Sequence, residues 1–298
     1  MMQSLVRSIL HKAAGARRVA LVAAAGLPLA GCSALDSASN PLSSFFGGEK
    51  YKTELLPDVP ADGIYDQGLA RLGKKDYSGA AKKFGELEKQ YPNSGWSQKG
   101  LLMQTYSEYT EGKYDEAVAT ANRYIGLYPN TKDAPYVYYL AGMSYYNQIP
   151  DADRDQERAE KSVVIFNQLV QKFPKSEYVN DAKFKIQVAK DQLAAREMKV
   201  GRYYLEQSNY TASINRFREV LGKYQSTRHT EEALFRLTEA YLRLGVANEA
   251  QTEAAVLGHN YPDSQWYPDA DARLREGGLQ PHEQKESWIS TLVRKTVG

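Results

Sequence analysis

An all-α fold, a solenoid of about five stacked helix pairs, is what this sequence predicts, on three observations. The strings YPNS, YPNT, FPKS, YQST and YPDS begin at residues 91, 128, 173, 224 and 261, and self-similarity at tens of residues marks a repeat architecture. At fixed distances before each string stand small residues and, four positions later, equal or larger ones, as helices that approach closely require. Each string also supplies Pro or another turn residue that ends a helix.

The first 31 residues precede that array. A basic segment with Arg7, His11, Lys12, Arg17 and Arg18 leads into the apolar run 19–25 and the small-residue turn Leu29-Ala30-Gly31, the layout of a secretory signal peptide. The apolar stretch 19–30 is about 12 residues where a spanning helix needs roughly 20, so a signal peptide is predicted over a retained transmembrane helix. Leu29-Ala30-Gly31-Cys32 resembles the lipobox of bacterial lipoproteins, and Cys32 is the only cysteine of the chain. The resemblance implies that cleavage makes Cys32 the new N-terminus, carrying a diacylglycerol thioether and an N-acyl chain; no other cofactor is expected. Burial of acyl chains contributes about 0.8 kcal/mol per methylene, so several chains hold a protein on a membrane essentially permanently. Ser33 after the cysteine, rather than Asp, implies the periplasmic face of the outer membrane of a Gram-negative cell. Residues 32–60, rich in Ser, Gly, Pro and short polar side chains, read as a flexible tether that reaches roughly 30 Å as a coil.

Residues 61–174 hold the first three units. In unit one Gly68 marks the first helix, Ala80 and Phe84 the second, and Pro92 its end. Thr105, Ala117, Ala121 and Pro129 play the same parts in unit two, and Gly142, Ser162, Phe166 and Pro174 in unit three. Gly142 lies 32 residues before its Pro instead of 24, so eight residues, QIPDADRD at 148–155, are inserted between the two helices. Residues 175–276 hold units four and five and a terminal helix, with Gly201, Ser213, Phe217 and Gln225, then Thr238, Ala250, Ala254 and Pro262. From Pro174 to Gly201 the distance is 27 rather than 13, and the added 14 residues contain no breaker, which predicts one long helix. In the tail, 277–298, a helix over 283–295 places Trp288, Ile289, Leu292 and Val293 on one face, with Arg294 and Lys295 near its end where the dipole favours them. That helix is expected to cap the last repeat or to dock on a partner, capping being favoured because a solenoid must cover its terminal apolar face.

Composition excludes several functions. Without residues 1–31, which contain four of the 38 Lys and Arg and no acid, 34 basic residues face 36 acidic ones. So even a balance leaves no electrostatic footprint for nucleic acid and no polybasic membrane patch. Twenty-two tyrosines are more than a compact enzyme commonly uses, and suit a surface that binds proteins or peptides. His229, His259 and His282 are the histidines beyond the signal peptide, and none is spaced as a metal pair on one helix face. Phosphate-cradling glycine loops, a GxSxG turn and a Ser-x-x-Lys pair are absent. DADRDQE at 151–157 lacks the central Gly and terminal Glu of a calcium loop and reads as a solvated loop or an internal salt-bridge site. Neither an enzyme nor a metal site is predicted.

The small-residue and Pro spacing, with Phe or Ala between, resembles the tetratricopeptide repeat, although the usual Trp is absent and Gln225 replaces one Pro. PADGIY at 60–65, YPNSGWSQ at 91–98, YVYYLAGM at 136–143, DRDQ at 153–156 and NRF at 215–217, together with lipobox, tether and repeats, resemble the BamD (ComL) family. The resemblance implies a scaffold of the β-barrel assembly machinery that binds the central barrel subunit through its periplasmic domains, sits beside accessory assembly lipoproteins and receives unfolded outer-membrane proteins. It further implies that the N-terminal repeats recognise the substrate's C-terminal targeting segment while the C-terminal repeats dock. By the match to the family's NR position, Asn215 and Arg216 are expected in the contact with the barrel subunit, where a guanidinium forks onto a carboxylate as Lys cannot. The alternatives are a scaffold lipoprotein of cell-wall synthesis and a periplasmic repeat protein of cell division, the latter normally without a lipobox.

In this repeat class the first helix of each pair lines the concave face. The positions three before, one after and four after the small residue are Tyr65, Leu69 and Leu72, then Leu102, Tyr106 and Tyr109, then Tyr139, Met143 and Tyr146. Such rings can fill inter-helix core, but a hydroxyl that needs a partner when buried is at home in a half-wet groove. Tyr65, Tyr106, Tyr109, Tyr139 and Tyr146 are therefore expected to form a peptide-binding wall, with Lys99 or Arg71 meeting the peptide's carboxylate.

Overall fold

The computed structural model describes residues 59–152, 154–284 and 286–297, with side chains as far as 292. The signal peptide, Cys32, the tether up to residue 58, and the side chains of Val293, Arg294 and Lys295 lie outside the described residues. Among those described there are twelve helices and no strand. Five pairs follow in order: α1 (Ala61–Gly73) with α2 (Tyr77–Gln90), α3 (Gly95–Glu111) with α4 (Tyr114–Leu127), α5 (Ala134–Tyr146) with α6 (Glu157–Lys172), α7 (Val179–Glu206) with α8 (Tyr210–Lys223), and α9 (Thr230–Leu244) with α10 (Ala247–Asn260). Two further helices, α11 (Tyr267–Glu276) and α12 (Trp288–Val297), close the chain.

Local chemistry sets the ends of these helices. Asp76, Ser94 and Asn209 each accept a hydrogen bond from a backbone N–H three residues on, at 2.9, 3.1 and 3.2 Å, and so start α2, α3 and α8. Inside four of the pairs the turn falls on the residue seven after the small one, which takes a left-handed conformation: Lys75 (φ 61°), Gly112 (85°), Ser208 (58°) and Gly245 (80°). Glycine does this without a steric penalty; Lys75 and Ser208 do it at some cost. In unit three the insertion takes the place of this turn. Gln156, fully buried, donates to the carbonyls of Asp151 and Arg154 at 2.9 and 3.1 Å, a side-chain staple that organises the loop.

The pairs lock by complementary size. A Cβ added to Gly68 or Gly142 would fall 2.5 Å from the ring of Phe84 or Phe166, and one on Gly201 closer still to Phe217. Where the first helix carries Thr instead, at Thr105 and Thr238, the second carries Ala121 and Ala254, and all four are fully buried. Each unit thus uses Gly with Phe or Thr with Ala, filling one volume in two ways.

First helices of successive pairs touch one another, α1 with α3, α3 with α5, α5 with α7 and α7 with α9, while second helices come less close. The first helices therefore line the inner face. The long helix appears as one uninterrupted element of 28 residues, α7. Its Val179, Ala182 and Ile186 complete the core of unit three around Phe166, and its Ala194 and Met198 enter the core of unit four around Phe217.

The tail caps the last repeat by a different route from the one the sequence suggested. Helix α12 starts at Trp288 rather than 283, and the preceding residues run along α10, where Gln251 donates to the Gln280 carbonyl at 2.7 Å and accepts from the His282 N–H at 3.2 Å. Ile289 is 2% exposed within the core of units four and five, with Trp288 and Leu292 packed beside it. Arg218 of α8 lies over the Trp288 ring at 4.2 Å, and Ser287 donates to Glu249 of α10 at 3.2 Å. One turn on from Glu249, Glu253 is fully buried and neither carboxylate oxygen has a hydrogen-bond partner.

Candidate functional site

The inner face of α1, α3, α5 and the start of α7 gathers the expected tyrosines into one surface, and all five are half-buried. Tyr65 packs against Phe84 and Trp96 at ring distances of 5.5 and 5.6 Å. Tyr109 accepts a hydrogen bond from Asn147 at 3.2 Å. Tyr139 stacks on Tyr178 at 5.1 Å and donates to Asp181 at 2.8 Å. Tyr146 lies under the Lys185 ammonium at 4.8 Å, a cation–π contact. Tyr106 packs with the first-unit core, and its phenol and those of Tyr109, Tyr139 and Tyr178 all lie near enough to Tyr136 to act on its charge.

Burial dominates the electrostatics of this wall. It pushes Tyr65 up to about 12, with Asp66 and Asp133 adding to the effect. Tyr178 is likewise raised to about 12 by burial and then by Glu177, and Tyr139 is raised further by burial and by its bond to Asp181. The phenols remain neutral at physiological pH and can donate as well as accept. Of the two cations expected to meet a carboxylate, Lys99 lies 4.6 Å over the Trp96 ring. Arg71 is bonded to Asp76 at 2.9 Å at the α1–α2 turn, where that carboxylate also caps α2.

Trp96, Tyr136, Tyr178 and Lys185 complete the wall, and reading only three positions per first helix misses them. The sequence does hold a signal for two of them. Four residues after the repeat's Pro stand Trp96, Tyr178 and Trp266, and each packs its ring against the residue three before the small position of the preceding unit, Tyr65, Tyr139 and Phe235 respectively. Units two and four have Leu102 and Met198 at that earlier position, followed by Asp133 and His229. The aromatic bracing thus belongs to odd-numbered units.

Asn215 and Arg216 sit together on an exposed face of α8, far along the chain from the wall. Glu197 of α7 holds the Arg216 guanidinium at 3.1 Å; that side chain is 46% exposed and keeps donors to spare. Among the described residues no helix is long and apolar enough to cross a membrane, and no group of three or more His, Cys, Asp or Glu could hold a metal ion.

The family described as "Outer membrane lipoprotein", YfiO, matches residues 57–257. The "Outer membrane protein assembly factor BamD" of Caulobacter vibrioides is 41% identical over 235 residues, 79% of this chain and 77% of that one. The protein of the same name from Rickettsia prowazekii is 43% identical over 222 residues, 74% of this chain and 88% of that one. The one from Neisseria meningitidis serogroup A is 31% identical over 231 residues, 72% of this chain and 86% of that one.

Proposed function

The chain belongs to the outer membrane lipoprotein family YfiO, and from that premise we propose how it works as an outer-membrane protein assembly factor. The role of its BamD relatives, a scaffold of the assembly machinery, is its role as well; the cell-wall and cell-division alternatives are not favoured. We read that role as binding rather than catalysis.

In our reading the inner wall of units one to three receives the C-terminal segment of an unfolded outer-membrane protein. One observation carries it: Tyr65, Tyr106, Tyr109, Tyr139 and Tyr146 form a half-buried surface with Lys99 at its edge. An extended segment ending in an aromatic residue and a free carboxylate matches these features, with rings on rings and the carboxylate toward Lys99. Affinity is weak, since ordering the segment costs conformational entropy. Each aromatic pair contributes about 0.5–1.5 kcal/mol, so Tyr106→Ala with Tyr139→Ala weakens binding of such a peptide about tenfold. Titration of the peptide against the full chain and the double variant is the measurement. Equal binding by a variant that keeps its helical signal would place the groove elsewhere and make these rings core.

The exposed Asn215–Arg216 pair supports a second contact, with the periplasmic domains of the central barrel subunit, beside accessory assembly lipoproteins. Arg216→Ala costs that contact about 2–5 kcal/mol if the pair becomes buried on docking, and the barrel subunit is then lost from a pull-down at matched salt. Undiminished recovery argues against this interface. Anchoring we assign to lipid on Cys32, on the strength of the Leu-Ala-Gly-Cys string and of the described helices being too short or polar to span. Cys32→Ser accordingly releases the protein into the soluble periplasmic fraction; retention in the outer-membrane pellet after its partners are stripped away would refute the assignment.

A further inference from the structure

Where first helices meet and second helices diverge, the outer face opens a groove between α2 and α4 with α3 as its floor. The groove encloses about 500 Å³. On its floor, one turn apart, stand Gln104 and Glu108, and the Gln104 amide donates to Glu108 Oε1 at 2.7 Å. Of the two remaining oxygens, Gln104 Oε1 is buried without a hydrogen-bond partner, and Glu108 Oε2 is buried with only the Thr120 hydroxyl within hydrogen-bonding reach of the carboxylate. Glu108 is 7% exposed, and burial raises its carboxyl above the usual range. With Glu108 ionised both atoms are acceptors, and the floor has room for a further donor.

The repeat provides an internal comparison. Floor positions lie one before and three after the small residue; unit one holds Gln67 and Arg71 there, and units three to five hold Ala141 and Tyr145, Val200 and Tyr204, Leu237 and Tyr241. Only unit two places Gln and Glu there. In units three and five the tyrosine already meets a guanidinium of its own chain: Arg158 lies 5.8 Å from the Tyr145 ring centre, and Arg218 bonds Tyr241. In unit two the basic groups of the rim are Lys82 and Lys89 on α2, Lys113 just before α4 and Arg123 on α4, and the last two are engaged elsewhere. Arg123 is bonded to Glu88 at 3.1 Å, and Lys113 to Ser78 and Glu111, both at 3.1 Å. Gly85 keeps the wall low, since a Cβ there would stand 3.1 Å from Gln104 Oε1.

We propose that this groove is a socket for an arginine side chain of a partner polypeptide crossing the outer face of the first two repeats, its guanidinium forking onto Gln104 Oε1 and Glu108 Oε2. A guanidinium is planar, carries its donors in a fixed fork and brings the charge that an ionised Glu108 needs. Neither an ammonium nor a neutral amide offers all three. The surface is on the opposite side of the first helices from the tyrosine wall, so both can be occupied at once.

The test uses the full chain with glutamine side chains labelled for NMR, titrated with N-acetyl-Gly-Arg-Gly-amide and with its citrulline and lysine counterparts. The arginine peptide moves the Gln104 side-chain amide resonance saturably in the millimolar range, and the other two bind at least tenfold more weakly. Glu108→Gln, close in shape to the protonated acid, and Gln104→Leu each lower arginine-peptide affinity tenfold or more while the helical signal is kept. For the Leu variant, whose reporter is gone, the Gly85 backbone resonance is followed instead. Equal binding of citrulline or lysine, unchanged affinity in Glu108→Gln, or no saturable shift with the arginine peptide overturns the proposal.

Discussion

Gly201→Thr destabilises the C-terminal repeats by several kcal/mol, and adding Phe217→Ala recovers most of the loss. A side chain at 201 drives directly into the Phe217 ring, which is fully buried in the largest core cluster and has no room to withdraw. Overpacking of this kind commonly costs about 1–3 kcal/mol and more where the neighbour is pinned. Phe217→Ala alone leaves a cavity at a cost of about 3–5 kcal/mol. The double variant recreates the Thr-with-Ala combination that units two and five already use at Thr105 with Ala121 and Thr238 with Ala254. Two large losses should therefore largely cancel, with a coupling in a double-mutant cycle that exceeds the Phe217→Ala loss itself, about 3–5 kcal/mol. Urea unfolding of the full chain measures it. A double variant no more stable than the worse single variant would show that the two combinations do not fill equivalent volumes.

The second large effect is a fall in stability as pH rises, traced to Glu253. Burial, and then the neighbouring Glu249 charge, hold its carboxyl well above the unfolded value of 4.5, against a smaller opposing influence from Arg218. Below 4.5 both states are protonated and the full stability is present. Above it the unfolded chain releases the proton while the folded chain retains it, so stability drops by about 1.4 kcal/mol per pH unit until the folded pKa is passed. Glu253→Met abolishes that slope and is more stable than the parent at neutral pH, because an apolar group of similar shape replaces an unsatisfied acid. Denaturant midpoints at a series of pH values decide the matter. If Glu253 is instead ionised against Arg218, its folded pKa is depressed, stability rises with pH only below 4.5 and is flat above it, and the Met variant is the weaker protein.

Much of the fold could be read from the amino-acid sequence because helical packing converts shape into spacing. Gly68, Thr105, Gly142, Gly201 and Thr238 mark the close approaches, and the 14 added residues before Gly201 fall where α7 is long. The extended run before α12 was not legible in the same way. Its bonds to Gln251 use the backbone atoms of residues 280 and 282, which any side chain would allow. The pairing of Arg71 was hidden for a related reason: its partner, Asp76, lies only five residues on, in a local cap. Trp96 and Tyr178 escaped because they stand at the entry to the next helix, off the face being counted. Nothing in the composition singles out Glu108 and Glu253 from the other acids; only the packing around them isolates these two.

Helix α7 joins the two halves of the molecule mechanically. Near its start Asp181 holds Tyr139 and Lys185 covers Tyr146, while sixteen residues beyond Asp181, about 24 Å along the axis, Glu197 grips Arg216. A helix unbroken over that length resists bending and twisting far more than the turns that join the other units. It therefore behaves as a drive shaft, and a torque applied at Arg216 is delivered, without lost motion, to the tyrosines at its other end.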